Sequence, residues 1–183
     1  MEFDLTDYND LMVTILSDTH GLLDPGVQNL ANQGDVVLHA GDIMAGSVLA
    51  ELQPKLGHVI AVRGNNDFSR NWPPQDHHQL SSIPEVAVIH CRGGVISMEH
   101  GHRVQNIERD HFQLSYKYPD SRLVIYGHTH LQRIDQDTLP WLLNPGAAGM
   151  VRNNGGPSCY QLKISAGEWT LECYKFPQIM KVG

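Results

Sequence analysis

The chain has 183 residues, of which 41% are hydrophobic, and this is enough for one domain with a complete core. Its formal net charge of -7 excludes a general nucleic-acid binder, because no cluster of lysine or arginine offers a surface that follows a phosphate backbone. Cys91, Cys159 and Cys173 are far apart and form no C-x-x-C pair, which excludes a disulfide framework and a thiolate zinc site. We therefore expect a single domain over residues 1–183 in a reducing compartment.

The first ten residues are acidic and polar, without the basic and apolar stretches of a secretory signal. No apolar run reaches the length that spans a membrane. We expect a cytoplasmic protein with no membrane partner. The sequence leaves the oligomeric state open, and a homo-oligomer is one of the alternatives.

In chain order, three short apolar runs each stop at polar residues and glycine. The runs cover residues 11–16, 36–39 and 58–62, and they end in Ser17-Asp18-Thr19-His20-Gly21, Ala40-Gly41-Asp42 and Arg63-Gly64-Asn65-Asn66-Asp67. One helix is predicted to start after Pro25, and a second helical segment covers residues 47–53. This alternation of strand, polar loop and helix is typical of a parallel sheet built from crossover units.

The middle of the chain predicts an antiparallel component. Residues 68–80 are polar and have no helix or strand period, so we expect a loop there, near the site. Residues 86–90 and 94–98 are strand-like around a glycine turn, which indicates a hairpin. Residues 104–118 are the best remaining helix prediction and end before Pro119.

The last part of the chain predicts further strands. Residues 122–126 form a β-branched and aromatic run that is typical of a buried strand. Residues 133–135 and 139–143 follow without an assigned element, and Asn144-Pro145-Gly146 predicts a turn. Residues 158–164 and 168–174 alternate in the manner of two paired strands. The sum is a mixed α/β fold with helices outside the sheets.

Five of these strand ends carry side chains that bind metal ions. They are Asp18, His20, Asp42, Asn65, His100, His128 and His130. In open α/β sheets ligands bind at the carboxyl ends of the strands, so these side chains are expected to be neighbours in space. Carboxylate, imidazole and amide oxygen without thiolate suit Mn²⁺, Fe²⁺, Co²⁺ or Zn²⁺. Seven ligands exceed one ordinary site and divide into two sites that share one carboxylate.

Each segment alone has a plainer interpretation. His128 and His130 form an H-x-H pair of a kind that also occurs at surfaces and in cores. Asp18 could instead cap the first predicted helix, with His20 incidental. Residues 63–67 alone would most often be an ordinary turn. The metal interpretation depends on the five segments taken together.

As an ordered set, these motifs resemble those of the calcineurin-like metallophosphoesterase superfamily. The motifs are Asp18-x-His20, Gly41-Asp42, Gly64-Asn65-Asn66-Asp67, His100-Gly101-His102 and Gly127-His128-Thr129-His130. The resemblance covers residues 13–149 and is closest to the compact prokaryotic phosphodiesterase branch, which has a similar length and a late Asn-Pro-Gly. It implies a four-layer αββα sandwich, in which two mixed β-sheets face each other and are flanked by helices.

The resemblance also implies a role for each ligand. By position, Asp18, His20 and His130 hold one metal ion, and Asn65, His100 and His128 hold the other. Asp42 bridges the two ions. The residues expected to take part in catalysis are Asp42, Asn65 and His102.

One position departs from the wider superfamily. Many members have a histidine directly after the asparagine ligand, where this chain has Asn66. That histidine is usually assigned to the transition state or the leaving group, so the general acid needs another residue. His102 is the nearest substitute, and an alternative is that it only supports the ligands or lies at the surface. His39 is expected to support the ligands or pack beside them.

Hydrolysis of phosphate esters is the expected activity. Two divalent ions bring four positive charges, while Asp18, Asp42 and a bridging hydroxide remove three, so the site attracts phosphate. The bridging hydroxide is the expected nucleophile, and the sequence shows no Ser or Cys triad and no P-loop. The branch implies a phosphodiesterase, although the residues themselves do not exclude monoesters. The expected cofactors are two divalent ions, Mn²⁺ first, with Fe, Co, Ni or Zn as alternatives, and the expected partner is a small phosphate-ester substrate.

Two other functions are alternatives to hydrolysis of phosphate esters. The same compact fold serves elsewhere in the superfamily as a non-catalytic scaffold subunit of a membrane-trafficking coat. Such members tend to have lost ligands, whereas all seven positions are filled in this chain. A redox di-metal protein would need helical Glu-x-x-His pairs, which the sequence lacks.

Overall fold

The computed structural model describes residues 1–150 and 154–178. Its strands are β1 (Glu2–Asp4), β2 (Asp10–Leu16), β3 (Val36–His39), β4 (His58–Ala61), β5 (Val86–Cys91), β6 (Gly94–Glu99), β7 (Leu123–Ile125), β8 (Gln132–Asp135), β9 (Trp141–Pro145), β10 (Ser158–Ser165) and β11 (Glu168–Lys175). Its helices are α1 (Pro25–Gln33), α2 (Gly46–Glu51), α3 (His77–Ser82) and α4 (Gln113–Lys117). Within these two ranges, no helix is both long enough and apolar enough to cross a membrane.

The first sheet has five strands in the order β11-β10-β2-β3-β4. The three apolar runs of the N-terminal half become β2, β3 and β4, which are parallel to one another. Crossover connections through α1 and α2 therefore bring the carboxyl ends of these strands to one edge. The predicted pair near the C-terminus forms β10 and β11, and β10 continues antiparallel to β2.

The second sheet has six strands in the order β1-β5-β6-β7-β9-β8. The predicted hairpin of β5 and β6 is confirmed, with antiparallel pairing from Val86 opposite Glu99 to Cys91 opposite Gly94. Strands β6, β7 and β9 are parallel, so the ends of β6 and β7 lie side by side. The short edge strand β1, which the sequence did not predict, pairs parallel to β5.

The two sheets face each other across the main core. Leu38 of the first sheet and Ile125 of the second belong to the same buried cluster between them. Strand residues with the opposite orientation face outward, because side chains alternate along a strand. Val37 accordingly packs in the cluster that contains α1, and Val124 packs with Leu114 of α4. The prediction of two mixed sheets flanked by helices is confirmed.

The prediction of a loop over residues 68–80 is wrong. This segment contains two single-turn helices, Ser69–Asn71 and Pro74–Asp76, and leads into α3. Trp72 and Leu80 are buried in a small core beside α2, and the Asp76 carboxylate accepts a hydrogen bond from the Gly46 backbone N–H. Each turn is too short to produce a recognisable period in the sequence.

The prediction of one helix over residues 104–118 is also wrong. Only α4 is helical, and the preceding residues form turns. Asn106 has a left-handed φ of 54°, and its carbonyl accepts from the backbone N–H groups of Arg109 and Asp110. Ile107 and Leu114 are both buried in the outer core beside β7, so an irregular chain buries the same apolar side chains that a helix would.

Candidate metal centre

All seven predicted ligands lie at one edge of the paired sheets. Asp18 and His20 follow β2, Asp42 follows β3 and Asn65 follows β4 in the first sheet. His100 follows β6, and His128 and His130 follow β7 in the second sheet. The parallel arrangement of these strands is what brings loops that are far apart in sequence to one place.

The Asp18 carboxylate is fully buried and points one oxygen toward a group of imidazoles. Its Oδ2 atom accepts hydrogen bonds from Ser17 Oγ at 2.6 Å and from the His128 backbone N–H at 3.1 Å. Within residues 1–150 and 154–178, its Oδ1 atom has no hydrogen-bond partner. Three imidazole Nε2 atoms surround that oxygen at 3.2, 3.9 and 4.0 Å, those of His130, His20 and His100.

The structure contradicts the alternative in which Asp18 caps a helix. The cap of α1 is Asp24, whose Oδ1 atom accepts from the backbone N–H groups of Gly26 and Val27. Asp18 therefore does not cap α1, and its carboxylate faces the imidazoles instead. Its ligand atom and those of His20, Asp42 and His130 all lie within 4.8 Å of one another, a spacing that fits one cation.

The remaining predicted ligands are His100, His128 and Asn65. His100 Nε2 is 3.4 Å from Asp42 Oδ1. His128 Nδ1 is 2.9 Å from Asn65 Oδ1, and the rings of His100 and His128 are 5.3 Å apart between centroids. Asp42 thus contacts one histidine of each predicted group, with His20 Nε2 3.9 Å from its Oδ2 atom and His100 Nε2 3.4 Å from its Oδ1 atom.

Five of the seven predicted ligands have an unusual backbone conformation. Asp18, His20, Asp42, His128 and His130 have φ angles between 48° and 71°, in the left-handed region that residues with a side chain rarely adopt. Such a conformation costs about 1–3 kcal/mol per residue and persists only where the surroundings hold it, typically at functional sites. The sequence carried no signal for this strain.

The orientation of His100 leaves its Nε2 atom available as a ligand. Its Nδ1–H donates to the Ala40 carbonyl at 2.7 Å, so in a neutral ring the Nε2 lone pair faces Asp18 and Asp42. Burial lowers the pKa of His100, but the contact with Asp42 and the charge of Asp18 outweigh burial and raise it to about 9. The two carboxylates thus favour a positive charge at this point, and a bound cation would replace the proton.

His39 is buried beside the ligands and is not one of them. The Gly41 backbone N–H donates to its Nδ1 atom at 3.2 Å, which leaves Nε2–H to donate to Thr19 Oγ1 at 3.0 Å. The ring thereby joins the loop after β2 to the loop after β3 in its neutral form. Complete burial lowers the pKa of His39 to about 3.

Asn66, which stands where the wider superfamily has a histidine, contacts the Asp42 carboxylate. Its backbone N–H donates to Asp42 Oδ1 at 2.8 Å, and its side-chain amide donates to Asp42 Oδ2 at 2.6 Å. Burial raises the pKa of Asp42, but the His100 imidazole and these two hydrogen bonds outweigh burial and hold it well below its usual value. Asp42 is therefore ionised at neutral pH.

His102 lies at the margin of the ligand group. Its ring centroid is 5.5 Å from that of His100 and 6.3 Å from that of His128. Burial and the neighbouring positive groups, His100 first, lower the pKa of His102 below its ordinary value. The side chain is close enough to approach a substrate bound beside His128.

Asp67 is a functional residue that the sequence reasoning missed. Its carboxylate is buried and accepts hydrogen bonds from the backbone N–H groups of Ile43, Met44 and Gly64 and from the Trp72 indole, at 2.8–3.2 Å. It therefore fixes the loop that carries Asp42 against the loop that carries Asn65. In the sequence, only its place at the end of the motif Gly64-Asn65-Asn66-Asp67 indicated that Asp67 belongs to the site.

Asn144 is a second missed residue, and it fixes the loop that carries His128 and His130. The side chain is fully buried, and its amide nitrogen donates to the Gly127 carbonyl at 2.7 Å and to Thr129 Oγ1 at 3.0 Å. Its oxygen accepts from the Gly146 backbone N–H at 2.9 Å. The sequence predicted a turn at this Asn-Pro-Gly, but Asn144 and Pro145 are the last residues of β9, and no sequence pattern connects them with the histidines.

Gly127 is required for a close approach between loops and not for an unusual φ angle. A Cβ atom added there would lie 2.1 Å from Ser17 Oγ and 2.8 Å from Asp18 Oδ2. At Gly64 an added Cβ would lie 2.2 Å from Asp42 Oδ1. Both contacts are too short for real carbon atoms, so these glycines allow backbone to pack directly against the two carboxylates.

The chemistry of this group of residues fits divalent cations. Among the described residues, Asp18 Oδ1 and His100 Nε2 are buried polar atoms without a hydrogen-bond partner, and both face the centre of the group. The ion-pair partners of Asp18 and Asp42 in residues 1–150 and 154–178 are imidazoles. Buried carboxylates are costly unless they are paired or bind a metal ion, and this donor set suits first-row divalent ions.

Comparison with known proteins agrees with this chemistry. The family model of the calcineurin-like phosphoesterase superfamily domain matches residues 11–167, which is most of the chain. The chain belongs to the calcineurin-like phosphoesterase superfamily. The resemblance predicted from the ordered motifs is thereby confirmed, and a hydrolase that uses divalent metal ions is the activity that this superfamily indicates.

Curated relatives of this calcineurin-like phosphoesterase include archaeal proteins. It is 29% identical over 147 residues to a probable metallophosphoesterase of Methanocaldococcus jannaschii, covering 78% of this chain and 70% of that one. It is 28% identical to a phosphodiesterase of the same archaeon, covering 74% and 83% of the two chains. Among solved structures, vacuolar protein sorting 29 of Cryptosporidium parvum matches with a TM-score of 0.71 at 20% identity, covering 93% of this chain and 100% of that one.

Proposed function

We propose that this calcineurin-like phosphoesterase is a metal-dependent phosphodiesterase acting on a small phosphate ester in the cytoplasm. The observation that carries the proposal is the group formed by the buried Asp18 and Asp42 with the partly buried His20 and His130, whose ligand atoms lie within 4.8 Å of one another. A second set of ligand types, with His100 beside Asp42 and His128 beside Asn65, supports a second ion. We expect Mn²⁺ to be the preferred ion.

The ligands divide into two groups of three that share Asp42. Asp18, His20 and His130 would hold one ion, and Asn65, His100 and His128 the other. When bound, the two ions supply positive charge that attracts the phosphoryl oxygens and lowers the pKa of water at the site. Two divalent ions bring four positive charges and the two carboxylates remove two, so the loaded site is cationic in a chain of net charge -7.

The protein's own residues orient and restrain this arrangement. Asn66 donates two hydrogen bonds to Asp42, which keeps that carboxylate ionised and fixed between the two ligand groups. His100 and His39 are each locked in one orientation by a backbone contact. His102, at the margin near His128, is the residue that we assign to donate a proton to the leaving group.

The preference for diesters is supported by the relatives and not by a specific contact. A 28% identical archaeal relative is named a phosphodiesterase, and the compact motif pattern of this chain resembles that branch. A monoester would present the same phosphoryl oxygens to the two ions. The comparison of activated diesters with activated monoesters therefore belongs in the first assay.

A non-catalytic scaffold is the second candidate, and the match to vacuolar protein sorting 29 is the observation that favours it. Against it stand the seven ligand-type residues, all of which remain in this chain and lie at one edge of the sheets. A scaffold has no need for buried carboxylates facing imidazoles. Hydrolysis separates the two candidates, whereas metal content alone does not, because vacuolar protein sorting 29 of Entamoeba histolytica was solved in complex with Zn²⁺.

The test compares the wild-type protein with Asp42→Asn after reconstitution with Mn²⁺. The wild type is expected to hydrolyse bis(p-nitrophenyl) phosphate and to retain metal through gel filtration. The variant is expected to lose hydrolysis and part of its metal, because the carboxylate between the two ligand groups loses its charge. Turnover by the variant at the wild-type rate, or a wild type that holds no metal, would contradict the proposal.

A further inference from the structure

Two arginines share one carboxylate at the margin of the site. Arg63 Nη2 is 3.7 Å from Glu85 Oε1, and Arg103 Nη2 contacts the same oxygen. The three side chains are partly exposed, at 36% for Arg63, 45% for Glu85 and 50% for Arg103. Two positive charges against one negative charge leave the group with a net charge of +1.

The fold places this group beside the ligands on the Asn65 side. Arg63 lies two positions after the last residue of β4 and two positions before Asn65, and its backbone N–H donates to the Pro84 carbonyl at 2.8 Å. Glu85 precedes β5, whose first residue pairs with the last residue of β6. Glu85, His100, His102 and Arg103 line one crevice.

Neighbouring charges do not cancel the positive charge of this group. Glu99, which also lines the crevice, is buried and is contacted by Lys117 Nζ and by the Tyr118 hydroxyl. The Glu99 and Lys117 charges therefore offset each other. The excess positive charge at the margin belongs to Arg63 and Arg103.

A purely structural role does not account for the arrangement. Exposed ion pairs contribute about 0–1 kcal/mol to stability, so the fold gains little from holding two arginines on one glutamate. Two guanidinium groups together present about ten N–H donors, far more than one carboxylate oxygen accepts. Guanidinium groups bind phosphate and carboxylate through paired hydrogen bonds, so the remaining donors suit an anion.

We propose that Arg63 and Arg103 form a second anion subsite that selects phosphate esters carrying a further anionic group, such as a second phosphate. This inference rests on the proposed function, because it assigns the substrate class of the same site. In it, the ligands around Asp42 hold the reacting phosphoryl group, and the two arginines hold the second group on the Asn65 and His102 side. Glu85 positions both guanidinium groups, and its negative charge limits their affinity for the second anionic group.

The experiment measures equilibrium binding of two nucleotides to the Mn²⁺-loaded protein by calorimetry. The two are thymidine 5′-monophosphate and thymidine 3′,5′-bisphosphate, which differ only in the second phosphate. We expect the bisphosphate to bind about tenfold more tightly, the equivalent of one charge-assisted hydrogen bond. The double variant Arg63→Gln/Arg103→Gln should reduce the ratio of the two affinities, bisphosphate over monophosphate, to less than about twofold. Glu85→Gln should increase this ratio.

The control is Arg92→Gln, which removes an exposed arginine from the turn between β5 and β6, at the opposite end of those strands. It should keep the wild-type ratio. If the double variant is unstable in thermal unfolding, the single variant Arg103→Gln, at a half-exposed position, takes its place. Equal binding of the two nucleotides to the wild type, or an unchanged ratio in the arginine variants, would overturn the subsite.

A parallel assay separates this inference from the proposed function. It measures hydrolysis of the p-nitrophenyl ester of thymidine 5′-phosphate with and without a 3′-phosphate. The subsite predicts a lower KM for the phosphorylated ester in the wild type and loss of that difference in the arginine variants. If neither ester nor any other phosphate ester is hydrolysed, the proposed function fails, while the binding ratio still decides whether the subsite exists.

Discussion

Replacing Asp67 with asparagine should destabilise the protein and weaken metal binding. The Oδ1 atom of Asp67 accepts from Ile43, Met44 and the Trp72 indole, and its Oδ2 atom accepts from Gly64 at 2.8 Å. An asparagine can place its oxygen where Asp67 has Oδ1, but its NH₂ group then takes the place of Oδ2 and faces the Gly64 N–H. One charge-assisted hydrogen bond is lost and the others weaken, since they no longer meet a full negative charge.

The expected magnitude follows from these contacts. Losing a hydrogen bond to a charged group costs about 1.5–3 kcal/mol, so with the weakening of the others we expect a total of about 3 kcal/mol. For a domain of this size, that loss lowers the Tm by about 6–12 °C. Asp42 and Asn65 lie on the two loops that Asp67 joins, so the affinity for Mn²⁺ should fall as well.

Urea unfolding of the metal-free protein measures the first effect, and titration with Mn²⁺ measures the second. The matched control is Asp7→Asn, because Asp7 is exposed and far from the ligands in sequence. The control should lie within about 0.5 kcal/mol of the wild type. An Asp67→Asn variant as stable as the control, with wild-type affinity for Mn²⁺, would refute the assigned role of this carboxylate.

Three further predictions concern other residues of the site. His39 has a folded-state pKa of about 3 against 6.5 for an ordinary histidine, so the unfolded chain takes up its proton first. Stability should therefore fall as the pH drops below about 6.5, by roughly tenfold in the folding equilibrium per pH unit, and urea unfolding should show a weaker pH dependence in His39→Gln. Asn144→Asp turns an oxygen toward the Gly127 carbonyl in place of a donor, so it should cost about 2–3 kcal/mol and reduce hydrolysis, unlike Asn29→Asp at an exposed position of α1. His102→Ala should slow esters with poor leaving groups more than p-nitrophenyl esters, and equal losses on both would remove it as the proton donor.

The strands that carry the site were predictable because they are short apolar runs ending in polar residues. Residues 36–39 form β3 as predicted, and residues 11–16 and 58–62 differ from β2 and β4 by one residue. Burial on both faces produces such continuous apolar runs in parallel sheets. Strand β1 has only three residues, two of them acidic, and its pairing with β5 leaves no apolar pattern in the sequence.

The types of the ligands were predictable, but the contacts that hold them were not. Imidazoles, carboxylates and an amide at strand ends have few other uses when they occur together, which is why the seven residues could be named from the sequence. Asp67 accepts from the backbone N–H groups of Ile43 and Met44, 24 and 23 residues away. Asn144 donates to the Gly127 carbonyl and the Thr129 hydroxyl, 17 and 15 residues away. Such contacts depend on where the loops lie after folding, and residue type alone does not indicate them.

The central claim is that the loops after β2, β3, β4, β6 and β7 together hold two divalent ions on either side of Asp42. Anomalous scattering from crystals grown with Mn²⁺ tests it most directly. We predict two peaks about 3.5–4 Å apart, with the Asp42 carboxylate between them and the other six ligands divided three and three. A map without a peak at this site, or with a single peak that Asp42 does not contact, would contradict the claim.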